Sequence, residues 1–202
     1  MTLATVLLLG MGLGLRHAAD ADHLVVVSTL VQRESSVLRA SRIAVMWGAG
    51  HTAAFLVLGM LIVHAGLRVP ASFEHLAEAL VGVMLVGLGS WHLFRQHRRA
   101  MGCTDAPRAP MFRAVAVGLV HGLAGSAGIA LLATASIPSV RLATFYLLVF
   151  GLGTVLGMVG LTVLLSRAML WTARRNDQVA QWLTRGAAVL GIVMGLAMLT
   201  SP

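Results

Sequence analysis

IAVMWGAGHTAAFLVLGMLIVHAGL, residues 43–67, runs for 25 positions without an Asp, Glu, Lys or Arg. A helix rises about 1.5 Å per residue, so roughly 20 apolar residues cross the hydrocarbon core of a bilayer. This stretch therefore predicts a transmembrane helix. Two further windows qualify in the same way, 114–140 with 27 residues and 142–166 with 25. Residues 79–94 qualify when extended back towards Phe73 through Glu74 and Glu78, and residues 186–202 when extended back to about Gln178. The remaining segment, 2–29, is apolar up to Leu15, is interrupted by Arg16, His17, Asp20, Asp22 and His23, and then resumes. It has no basic residue ahead of its apolar run, and Ala19-Asp20-Ala21 is a poor cleavage site, which argues for a first helix rather than a signal peptide. The expectation is an all-α membrane bundle of about six transmembrane helices in one domain, 1–202.

Composition supports that class. Of 202 residues, 58% are apolar and only 11% charged, where a soluble domain carries about 25% charged residues. Mean hydropathy is +0.87. The chain has 22 Gly, a residue favoured in membrane helices. All 15 basic residues are Arg, so neither a Walker A lysine nor a Schiff-base lysine is present. One cysteine, Cys103, excludes an intramolecular disulfide and any Cys-cluster metal site.

The net charge of +8 could suggest a nucleic-acid partner, but the distribution of Arg gives a simpler account. Twelve Arg fall in the loops after expected helices 1, 3 and 5 (among them Arg33, Arg39, Arg95, Arg98, Arg174 and Arg175), against Arg68 and Arg141 in the others. The positive-inside rule puts the odd loops in the cytoplasm and both termini outside, as for a multi-pass protein of a bacterial inner membrane. No nucleic acid is needed.

The halves, 1–100 and 110–202, resemble each other. Gly14-Leu15-Arg16-His17-Ala18 is echoed by Gly118-Leu119-Val120-His121-Gly122, an offset of 104, and Gly48-Ala49-Gly50-His51-Thr52 by Gly151-Leu152-Gly153-Thr154, an offset of 103. A weaker likeness links Gly82 and Gly87 to Gly191 and Gly195. Three helices per half would make the second half inverted, a common build for secondary transporters with the site at the repeat interface. Chance likeness among Gly-rich helices is the competing explanation.

The chemistry concentrates in Arg16-His17-Ala18-Ala19-Asp20-Ala21-Asp22-His23. Each Asp or Arg near a membrane helix centre costs on the order of 3 kcal/mol, so such residues mark ion pathways, relays or counter-ions. At about 100° per residue, His17, Asp20 and His23 share an arc of about 120°, with Arg16 on the same face and Asp22 pointing elsewhere. Either Asp22 supports from outside the ligand set, or the helix is locally unwound. Mixed imidazole and carboxylate ligands suit borderline divalent ions such as Ni, Co and Zn. Arg16 and Asp20, spaced i, i+4, are expected to form a supporting ion pair; the structural alternative is that this pair is all the run provides, with the remaining residues capping a helix end at the interface.

His17-x4-Asp22-His23 within RHAADADHL resembles the signature of the nickel/cobalt transporter family, part of the wider NicO group, and with six expected helices the chain looks closer to the group's short urease-accessory-type branch. GAGHT with His51 is similar to the family's second His-containing signature. The matches cover helices 1 and 2, about residues 12–55. Longer members have eight helices and an acidic signature in their latter part; here the segment around Gly118 to Ser126 stands in that region. The resemblance implies a secondary transporter and metal-binding roles for His17, Asp20, Asp22, His23 and His51. The cargo would be Ni2+ or Co2+, with no permanently bound cofactor. The partners are the bilayer and the ion, and homo-oligomer formation stays open.

His121 is a further candidate ligand from helix 4, and Gly48 and Gly50 would let helix backbones approach beside His51. His64, Glu74, His75 and Glu78 read as interfacial residues, His92 and His97 as solvated ones, and the 11 Met as packing. A rhomboid-type protease built on Ser126 lacks its base, because 178–202 contain no His and His121 lies about 140° around the helix. A nickel-binding accessory protein for urease or hydrogenase maturation, or a carrier of zinc, are the alternatives to nickel or cobalt transport.

Overall fold

The computed structural model describes residues 2–31, 34, 36–67, 69–102, 111–123, 137 and 139–200. Cys103, Ser126 and most of the later part of the 114–140 window lie outside the described residues. Within them the chain is all-helical: α1 Leu3–His17, α2 Ala21–Val31, α3 Val37–Ala65, α4 Ala71–Ala100, α5 Phe112–Gly122, α6 Val140–Arg175 and α7 Asp177–Thr200.

The described helices number seven, where six were expected. The difference arises in the first segment, which breaks between His17 and Ala21. There the ladder tightens to i+3 bonds, Ala19 N–H to the Arg16 carbonyl and Asp20 N–H to the His17 carbonyl. A new helix then starts with Leu24 N–H on the Asp20 carbonyl. Asp20 and Asp22 favour such a site because their short polar side chains compete with the helical ladder. The window at 142–166 is longer than expected, extending as α6 to Arg175, where Asn176 takes an extended conformation. The Asn176 Oδ1 then accepts the Val179 N–H at 3.2 Å, capping α7. Gly66, at φ 62°, ends α3 in the left-handed conformation that favours glycine.

Helices α3, α4, α6 and α7 are each long and apolar enough to cross a membrane. Their surfaces differ from those of a soluble bundle. Leu8, Leu38, Val57, Val83, Leu156 and Leu164 point outward, while the inward faces carry glycines. Helix α1 packs on α6, α3 on α5 and α6, α4 on α7, and α2 mainly on α7. A Cβ added at Gly14 would collide with the Phe150 carbonyl, one at Gly118 with the Trp47 carbonyl, and one at Gly89 would lie 2.6 Å from the Ala188 carbonyl. Large groups outside and small ones inside are what helices need when lipid replaces water and close backbone contact holds the bundle.

Two apolar cores result. One contains Val6, Phe55, Ile137, Tyr146, Leu147 and Phe150. The other contains Val25, Val26, Val27, Trp47, Val81, Leu85 and Met158. Along α3 the first core ends at Phe55 and the second begins at Trp47, and His51 lies between them.

Candidate metal centre

The break after His17 brings the polar run together. Helix α1 ends with His17, α2 opens with Asp22 and His23 in its first turn, His51 lies mid-way along α3, and His121 lies in the last turn of α5. The four histidines are buried, at 6%, 0%, 2% and 1% exposed respectively. Their rings pack as one cluster: His17 to His23 at 4.6 Å between centroids, His23 to His121 at 4.7 Å, His23 to His51 at 5.1 Å.

Close packing of α3 on α5 sets that proximity. Gly118 and Gly122 flank His121, and a Cβ at either would strike backbone atoms of the Trp47–His51 turn. Gly50 faces the Val115 carbonyl with the same closeness. Gly48 is different: its added Cβ would make ordinary contact with the Met158 sulfur at 3.4 Å. Of the two glycines expected to bring backbones together, Gly50 does so and Gly48 faces a side chain.

Hydrogen bonding orients the rings. His17 Nδ1 lies 2.9 Å from Asp20 Oδ2. An ionised carboxylate only accepts, so Nδ1 carries the proton and the Nε2 lone pair faces inward. That Nε2 is 3.2 Å from His51 Nε2. His23 Nδ1 lies 3.2 Å from Asp22 Oδ1, which leaves His23 Nε2 buried without a hydrogen-bond partner. His51 Nδ1 and His121 Nδ1 are also buried and unpartnered. His121 Nε2 is 3.1 Å from Asp22 Oδ2 but misses the alignment of a hydrogen bond. Buried polar atoms nearly always have partners. Of these unpartnered nitrogens, His23 Nε2 is left open on a ring whose other nitrogen is already paired, as a free ligand atom would be.

Two overlapping groups could hold a metal ion: His17, His23 and His51, and Asp22, His23 and His121. Within each group the ligand atoms lie within 4.8 Å of one another. Each group has a short edge, 3.2 Å for His17–His51 and 3.1 Å for Asp22–His121. With metal–ligand bonds of about 2.0–2.1 Å, such edges subtend about 100° at the ion, between octahedral and tetrahedral values.

The other expected residues fall as follows. Asp20 belongs to neither group; its carboxylate, 44% exposed, holds His17. The expected Arg16–Asp20 pair is not formed: Arg16 points outward, and the Asp20 carboxylate turns to His17 instead. Asp22, which a regular helix would aim away, joins the cluster because the break resets the helical phase. His64 bonds Thr144 at 3.1 Å, and Glu74 and His75 lie exposed at the start of α4. His92 lines a separate cavity of about 480 Å³ with Ser28, Glu34, Gln96 and Ser166.

Two aromatic walls escaped the sequence reading. Phe150 packs against His17 at 5.6 Å, and Trp47 against His23 at 5.5 Å and His121 at 6.2 Å. The repeat offset of 103 relates these two residues and is the signal that could have found them.

The urease accessory protein UreH of Bacillus sp. (strain TB-90) is 34% identical, over 86% of this chain and 81% of its own length. The chloroplast proteins FOR GROWTH AND FERTILITY 2 and 1 of Arabidopsis thaliana are 24% and 23% identical over 93% of this chain. The chain spans about half the length of those two, 54% and 56%. No family model and no solved structure matches the chain. Identity of a third, sustained across most of both sequences, makes this chain a member of the family of the urease accessory protein UreH.

Proposed function

We propose that the chain is a six-span inner-membrane carrier for a divalent transition metal, nickel or cobalt, held by His17, Asp22, His23, His51 and His121. The observation that carries this reading is the burial of four histidines among apolar helices, at the boundary of two apolar cores, with the partly buried Asp22 carboxylate against two of them. Intramembrane ionisable groups are costly and survive where they serve an ion path. Imidazole with one carboxylate suits Ni and Co. The name of the relative from Bacillus, a urease accessory protein, adds a nickel connection.

In this reading the first span is the broken α1–α2 pair, and the two halves form an inverted repeat. Matched contacts support the repeat. Gly14 of α1 meets Phe150 O and Thr154 N, and Gly118 of α5 meets Trp47 O and His51 N; these partners differ by the offsets of 104 and 103. The Arg distribution orients both termini outward, with the 480 Å³ cavity at the far end of α2 on the cytoplasmic side.

A nickel-binding accessory role without transport is the second reading, favoured by the relative's name. Delivery to a protein partner needs ligands at a surface, whereas these are at most 6% exposed for the histidines. Proteoliposomes loaded with the purified chain should accumulate radioactive nickel or cobalt faster than empty vesicles, with zinc and a proton gradient as further arms. Metal binding without accumulation would favour the accessory reading. Orientation is tested separately: an impermeant thiol reagent should label Cys103 in inverted vesicles and leave it unlabelled in intact spheroplasts.

A further inference from the structure

The cluster holds two candidate coordination positions, and His23 belongs to both. We propose that one divalent ion at a time moves between them: an all-imidazole position formed by His17, His23 and His51, and a carboxylate position formed by Asp22, His23 and His121. This rests on the metal-binding reading above.

Each position has its own tight edge, 3.2 Å between His17 and His51 and 3.1 Å between Asp22 and His121. Phe150 lies beside His17, and Trp47 beside His121 and the shared His23. The two edges come from different helix pairs, α1 with α3 and α2 with α5, so relative movement of the halves changes one edge without the other. Ring centroids across the cluster are only 4.6–5.7 Å apart. Two divalent charges that close repel strongly in a dry interior, and His23 Nδ1 is already engaged by Asp22. With one free ring nitrogen, His23 serves one ion at a time and stays with it while its other ligands exchange. The positions differ in charge: the first offers neutral nitrogens only, the second an anion, so the second suits the harder ion.

The test is titration of the purified chain in detergent with Co2+, whose visible absorption reports ligand set and geometry, alongside calorimetric stoichiometry. Wild type should saturate at one Co2+ per chain. His17→Ala and His121→Ala should each still take one Co2+, more weakly and with two different spectra, and the wild-type spectrum should be a weighted sum of them. The double variant and His23→Ala should lose the specific spectrum. His17→Gln and His121→Gln repeat the comparison with bulkier replacements, and circular dichroism with elution volume identifies any variant that fails to fold. Loss of all binding in folded forms of both single variants would mean one indivisible site and overturn the proposal. Two Co2+ bound together in wild type would overturn it as well. No binding at all by wild type would instead remove the transport reading on which it rests.

Discussion

Helix α1 lies on α6 with Gly14 facing the Phe150 carbonyl and the Thr154 amide, while helix α5 lies on α3 with Gly118 facing the Trp47 carbonyl and the His51 amide. Gly50 faces the Val115 carbonyl, and Gly153 faces that of Met11 at 2.8 Å for an added Cβ. The two contacts use matching positions, offset by 104 and 103 residues, yet their chemistry differs. The first half contributes His17, Asp22, His23 and His51 to the cluster, and the second contributes His121. Where the first half has His51, the second has Thr154, whose hydroxyl is bonded to its own helix at the Phe150 carbonyl, 2.9 Å away. The comparison teaches that close helix packing constrains backbone and glycine, while the side chain one turn along is free to change its chemistry.

The largest effect should separate those two residues. His51→Ala should abolish nickel accumulation in proteoliposomes, whereas Thr154→Ala should keep most of it, since the Thr154 hydroxyl satisfies only its own helix. Equal losses would mean that Thr154 is part of the ligand set and that the two contacts share their chemistry. Next come the frame glycines. Gly14→Ala and Gly118→Ala each force a methyl group into opposing backbone, costing about 1–3 kcal/mol by overpacking. Thermal unfolding should fall in both variants. Gly12→Ala, with nothing within 4 Å, should leave it unchanged. A large difference between Gly14→Ala and Gly118→Ala would break the structural equivalence of the two contacts.

A smaller effect is expected from residues that hold a ligand without touching the ion. Asp20→Asn keeps the size of the side chain but weakens its grip on His17 Nδ1–H, and loss of such an orienting partner costs about 10–100-fold in metal affinity. Calorimetry with Ni2+ should give a loss at the lower end, because Asp20 is 44% exposed. Unchanged affinity would make Asp20 a helix-breaking residue only. The smallest effect belongs to Arg16→Gln: its side chain points outward and makes no ion pair with Asp20. Affinity and unfolding temperature should both stay within error. A marked loss of either would restore the internal ion pair expected from the sequence.

Much of the fold was legible because its cause is local. The apolar windows at 43–67 and 142–166, and the extended stretches around 79–94 and 186–202, appear as α3, α6, α4 and α7, since length and hydropathy alone decide whether a helix suits a bilayer. The cost of charge inside an apolar segment singled out the run from Arg16 to His23, Asp20 included, without any coordinates, while His51 came from the family resemblance of GAGHT. Tertiary structure alone decided the rest. Helical phase predicts direction only while the helix stays regular. The break at residues 18–20 rotated Asp22 into the cluster, turned Asp20 to the back of His17 and left Arg16 outside. No periodicity could bring His121 to Asp22 either, because their 3.1 Å contact spans 99 residues and depends on how closely Gly50, Gly118 and Gly122 allow α3 and α5 to approach.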